Sequence, residues 1–125
     1  MQSVLLWSAA AVSLTGFAVH TFMGGAVVAR PLLADRNLPK ASRWLSYYCW
    51  HVATVMLLFT SGAFAYSATY PGRLELAIFV SSLAIVLSLL SAAVAFKARI
   101  NPLRLPSTTL LALTGLLGWG GIAAL

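Results

Sequence analysis

The sequence predicts an all-α fold, a polytopic membrane protein built as an antiparallel four-helix transmembrane bundle. Composition is the first reason: 61% of the 125 residues are hydrophobic and only 8% are charged, with a mean hydropathy of +0.93. A soluble domain of this length needs more hydrated exterior than that to stay dispersed. Run length is the second. Val4 to Ala29, Leu45 to Tyr66, Leu74 to Phe96 and Ser107 to Leu125 meet the roughly 20 helical residues that cross about 30 Å of hydrocarbon, the first run long and the last short. The third is that these runs show no alternation, and an open sheet in lipid would leave its edge hydrogen-bonding groups unpaired. One compact domain is all that this length can make.

Each element carries its own signals. The amino-terminal stretch Met1 to Trp7 has no Lys or Arg, and its apolar run outlasts the core of a secretory signal, so it reads as a retained first helix. Pro31 is expected to end that helix and Pro39 to mark the approach to the second. Tyr70, Pro71 and Gly72 signal a tight turn before the third helix. Asn101, Pro102 and Pro106 punctuate the gap before the fourth, with Ser107 its expected cap. Trp44, Tyr47, Tyr48 and Trp50 crowd one end of the second helix, where amphipathic rings favour the headgroup zone. Cys49 is the single cysteine, which excludes an intrachain disulfide and reads as a small buried packing residue.

Charge predicts orientation. The first gap carries Arg30, Arg36, Lys40 and Arg43, the third carries Lys97, Arg99 and Arg104, and the second carries only Arg73. Lysines and arginines of short loops stay on the cytoplasmic side, so both termini are expected outside, N-out and C-out. The net charge of +6 then follows from topology. No contiguous basic face exists to track a phosphate backbone, and nucleic acid is excluded as a partner. Arg30, Arg36, Lys40 and Arg43 are also candidates to grip anionic lipid headgroups.

Both histidines lie in the first two apolar runs. At 1.5 Å per residue His20 sits about 15 Å before Arg30 and His51 about 12 Å after Arg43, so antiparallel helices would carry the two imidazoles at one level, where a polar group needs a partner, water or a ligand. Gly16 and Gly24 flank His20 by one turn on either side, and Tyr47 and Thr54 share the face of His51. One reading makes His20 and His51 the iron ligands of a haem b, the glycines leaving room for a flat macrocycle. Directly packed helices are only about 8–10 Å apart, so that reading requires separated helices or a second subunit. A discrete zinc site lacks its remaining ligands. A second reading makes each histidine interhelical glue, bonded to a carbonyl or hydroxyl across the bundle. A third is a proton relay or polar cavity.

Elsewhere the signals concern packing. Ser81, Ser88 and Ser91 in the third run, and Gly115, Gly118 and Ile122 in the fourth, recur at helical spacing as surfaces that draw membrane helices together. No Ser/His/Asp arrangement, phosphate-binding loop or zinc-protease motif is present, and only two acidic residues exist. A hydrolase or a proton-coupled pump is therefore not expected.

His20-Thr21-Phe22-Met23-Gly24, Arg30-Pro31-Leu32-Leu33, Asn37-Leu38-Pro39 and Trp50-His51-Val52-Ala53-Thr54 resemble a family of small bacterial four-helix integral membrane proteins. Its members carry a His-[Ser/Thr]-x-x-Gly element in the first helix and Trp-His-x-x-[Thr/Ser] in the second. The resemblance covers roughly the first half of the chain. It implies the bacterial inner membrane and a shared histidine pair at His20 and His51, but no activity. The leading expectation is a small binding or electron-transfer protein holding haem b. The alternatives are an accessory or assembly subunit with structural histidines, or a small oligomeric permease or channel. Membrane lipids and a homo-oligomer or larger membrane complex are the expected partners.

Overall fold

A computed structural model describes residues 1–124 as four helices joined by short connections, with no strand among the described residues. The first helix runs over Gln2–Ala34, the second over Lys40–Thr69, the third over Glu75–Lys97 and the fourth over Pro106–Ala123. The first three are long and apolar enough to cross a membrane. The fourth, of 18 residues, is not among them, because Thr108, Thr109, Thr114 and its glycines dilute its apolar content. The last residue of the expected fourth run, Leu125, lies outside the described residues.

The first helix departs most from expectation. It does not end at Ala29 before Pro31 but continues to Ala34, and its segment Val19–Ala29 is π-helical. In a π-helix each N–H bonds five residues back, an arrangement found mostly as single turns and often at functional positions. The segment Arg30–Ala34 is α-helical again, although the Arg30 N–H still bonds the Gly25 carbonyl five residues back, and Pro31 stands within the continuous helix, where its missing N–H leaves one carbonyl of the preceding turn without that donor. The second helix begins at Lys40, ahead of the expected Leu45, directly after extended Pro39 (φ −51°, ψ 140°).

Between the second and third helices the Arg73 N–H donates to the Tyr70 carbonyl at 3.2 Å, and Gly72 takes φ +89°, a left-handed conformation that suits glycine. Before the fourth helix it is Asn101 that caps. Its side chain accepts from the Leu103 N–H at 3.0 Å and opens a short 3-10 turn at Pro102–Arg104. Ser107, the expected cap, instead shares a hydrogen bond with Ser91 Oγ at 2.8 Å.

Leu6, Ala9, Ala10, Phe64, Ala68, Ala77 and Val80 form the core. The fourth helix enters it through its small residues: a Cβ on Gly118 would meet Ser81 Oγ and, at 2.6 Å, the Phe64 ring; one on Gly115 would meet Ile85 at 2.7 Å; one on Gly121 would meet Leu6 at 2.9 Å. The glycine stripe is thus used within the chain. Two of the third-helix serines are too, with Ser88 Oγ donating to the Thr108 carbonyl at 2.7 Å and Ser91 bonding Thr108 Oγ1 at 2.8 Å, while the Ser81 hydroxyl is buried without a hydrogen-bond partner. These hydroxyls tie the third helix to the fourth.

The core does not extend along the whole length of the first two helices. Phe64 and Ser81 share a level at Gly118; from Ser81 the third helix runs only about 24 Å to its end at Lys97, and the same distance along the second helix from Phe64 reaches about Tyr48. Among the described residues, the first helix buries Leu6, Ala9, Ala10, Ser13 and Gly16 and after them only Ala29, and the second buries none before Thr60. Past about Tyr48 the first two helices carry on with the basic connection as a two-helix arm, and both histidines stand at its base, near the level where the third helix ends.

Candidate functional site

The seam between the first and second helices is laced by polar side chains that reach backbone carbonyls. Ser3 Oγ donates to Ala68 at 3.4 Å, Ser61 Oγ to Ala10 at 2.9 Å, Ser13 Oγ to Leu57 at 3.0 Å and His20 Nε2 to Trp50 at 3.0 Å. Partner numbers fall on the second helix as they rise on the first. His20 is the last rung of this series. A carbonyl oxygen can only accept, so Nε2 carries the proton, and in the neutral ring the lone pair sits on Nδ1.

Trp50 closes this end of the seam. Its indole stacks on the His20 ring, with centroids 3.9 Å apart and planes 17° from parallel. It also lies against Gly24, where a Cβ would meet Trp50 Cη2 at 2.7 Å and Cζ2 at 2.9 Å. The flat group beside His20 and Gly24 is therefore the chain's own indole. Trp50 was expected among the headgroup aromatics; it is half-buried between the helices, whereas Trp44 and Tyr48 are 52% and 64% exposed. Gly16, on the other side of His20, makes no comparable approach, since a Cβ there would sit at an ordinary 3.6 Å from Leu57. Thr54 Oγ1 donates to the Trp50 carbonyl at 3.3 Å, so it belongs to the same knot.

His51 faces elsewhere. It is exposed, packed by the edge of Tyr47 at 4.5 Å and 87°, and it opens on a groove of about 290 Å³ between the two helices. Thr21, Arg30, Tyr47 and Trp50 contribute to the lining with Phe22 and Leu33. The Thr21 hydroxyl is buried there without a hydrogen-bond partner. Small-molecule sites span about 300–1,000 Å³, so the groove accommodates part of a ligand and leaves the rest to lipid or to another chain. The two histidines thus share a level, because His20 bonds the residue that precedes His51, but serve different surroundings.

Of the basic candidates, Arg30 lines the His51 groove, while Arg36 and Arg43 line a second, wider cavity with Leu33, Ala34 and Trp44. Lys40 is exposed at the start of the second helix. Cys49, expected to be buried, is exposed. No group of three or more His, Cys, Asp or Glu suited to a metal ion occurs among the described residues.

The two histidines differ in what they offer a ligand. His20 presents a donor at Nε2, and its ring face is covered by Trp50. His51 retains an accessible ring. Sequence reasoning missed Trp50 as the partner and Thr21 as an orphaned hydroxyl. A signal for the former existed: Trp50, Leu57 and Phe64 recur at intervals of seven on one face of the second helix. Compared with protein-family models, curated proteins and solved structures, the chain matches none.

Proposed function

We propose that this chain is a small multi-pass protein of the bacterial inner membrane that works by binding, with its ligand held on the two-helix arm and met by His51. The reading takes the bundle as antiparallel, with both termini outside. What supports that orientation is the Lys and Arg content of the first and third connections, together with the falling partner numbers along the first seam.

The observation that carries the functional reading is the division of labour between the imidazoles. His20 is occupied by Trp50, whereas His51 is exposed in a groove that also contains Arg30, Tyr47 and the unpartnered hydroxyl of Thr21. An intramembrane or interfacial polar cluster of this kind is costly unless something answers it. A flat amphiphile with acidic substituents suits the groove: His51 offers a lone pair or a proton, Arg30 a counter-charge. Haem b is the cofactor of this class to test first, with His51 as one ligand and a second copy of the chain supplying the other.

The test is the visible spectrum of protein purified in mild detergent, with and without dithionite. Under this reading His51→Ala loses the Soret and reduced alpha bands, while His20→Ala keeps the bands and lowers thermal stability. Equal loss in both variants would mean that the pair acts as one site and would overturn the division of labour. The second reading is an accessory subunit, favoured by the unpartnered arm, whose Phe22, Met23 and Val27 are 72%, 65% and 74% exposed. A colourless preparation that co-purifies with one defined membrane protein, in an association that Phe22→Ser abolishes, supports it.

A further inference from the structure

The second cavity, of about 740 Å³, lies where the paired helices give way to their basic connection, and it is lined by Leu33, Ala34, Arg36, Arg43 and Trp44. Arg43 is held in an unusual way. One guanidinium nitrogen, Nη1, donates to the Asp35 carbonyl at 3.0 Å, which anchors that end of the group. Its Nε is buried and has no hydrogen-bond partner. The Asp35 carboxylate, the nearest acid in sequence, is directed to the Asn37 N–H at 2.8 Å. A buried, unanswered donor on a charged group is costly, and a planar guanidinium carries its N–H groups in pairs that match two oxygens of one anion.

We infer that this cavity binds the phosphate of one anionic phospholipid. The Arg43 fork grips two phosphate oxygens in the bidentate manner that a planar guanidinium allows and an ammonium does not. Arg36, which also lines the cavity, supplies the second positive charge. Trp44, 52% exposed and set edge-on to Tyr47 at 6.0 Å, is an aromatic ring of the kind that resides at headgroup level. Leu33 lines both this cavity and the groove of His51, so it forms the apolar step from headgroup toward hydrocarbon. A free phosphate would meet the same arginines but would leave the Leu33 and Ala34 wall in water, and the lipid is therefore the favoured source. This site is separate from the ligand groove proposed above and does not depend on it.

The experiment counts lipid retained per chain by native mass spectrometry after detergent exchange, with phosphatidylglycerol compared against phosphatidylcholine of identical acyl chains. One phosphatidylglycerol is expected to persist on the wild-type chain, with phosphatidylcholine lost. Arg43→Lys keeps the charge and the topology signal but removes the fork, and retention is expected to fall about tenfold, the consequence of losing one charge-assisted hydrogen bond. Arg36→Gln, in the exposed connection, lowers retention as well and carries the test should Arg43→Lys fail to fold. Lys97→Gln removes a charge from another connection and leaves retention unchanged. Retention by Arg43→Lys equal to wild type, an equal loss in Lys97→Gln, or equal retention of phosphatidylcholine would each overturn the proposal. Displacement of the lipid by inorganic phosphate alone would overturn the lipid as the source.

Discussion

Gly24→Ala, compared with its neighbour Gly25→Ala, tests how the arm is held together. A Cβ at Gly24 would meet Trp50 Cη2 at 2.7 Å and Cζ2 at 2.9 Å, whereas one at Gly25 would meet nothing within 4 Å. Both substitutions gain the same helix propensity, about 1 kcal/mol, and that contribution cancels in the comparison. What remains is the overlap. Carbon contacts are optimal from about 3.5 Å, so the indole must retreat by about 0.8 Å, and its face is already stacked on His20. Overpacking of this kind costs about 1–3 kcal/mol. Gly24→Ala is therefore expected to be less stable than Gly25→Ala by that amount in reversible unfolding followed by circular dichroism in mixed micelles. Trp50→Phe lacks the two offending atoms, so in that background the difference should shrink, giving a coupling of about 1 kcal/mol or more in the cycle. Equal stability of the two alanine variants, or simple additivity with Trp50→Phe, would refute the intercalated indole.

Two further outcomes follow from the same packing. Gly118→Ala places a methyl group against Ser81 and the Phe64 ring and should lower stability by about 1–3 kcal/mol, while Gly62→Ala, with nothing within 4 Å, should not; equal behaviour would deny the fourth helix its place in the core. Ser13→Ala removes a 3.0 Å bond to the Leu57 carbonyl and should cost only about 0.6 kcal/mol, the usual worth of an interhelical hydrogen bond in a membrane; a loss several times larger would mean that the seam acts as a cooperative unit.

Much of the architecture was legible in the chain itself. Four helices and their turns could be read from apolar run lengths and from Tyr70-Pro71-Gly72, and the packing role of Gly115 and Gly118 from their spacing. Pro31 was misleading because a proline inside a long helix removes one N–H without having to end the helix, and here the chain stays helical through it to Ala34. Ser107 was misleading for a related reason, since its hydroxyl finds Ser91 on another helix.

The site was legible only as a pair of histidines at a common level. That level follows from residue counts, since helical rise is constant. Which imidazole is occupied and which is free depends on the rotation of each helix about its axis. In helices that are apolar all round, periodicity carries little information about that angle. The amino-acid order thus determined the helical spans, the turn and the basic connection, all of which arise from local backbone chemistry and hydropathy. Only the tertiary packing decided that the Trp50 ring would lie on His20 and Gly24 and leave His51 open, because that choice is made by shape between two chain segments thirty residues apart.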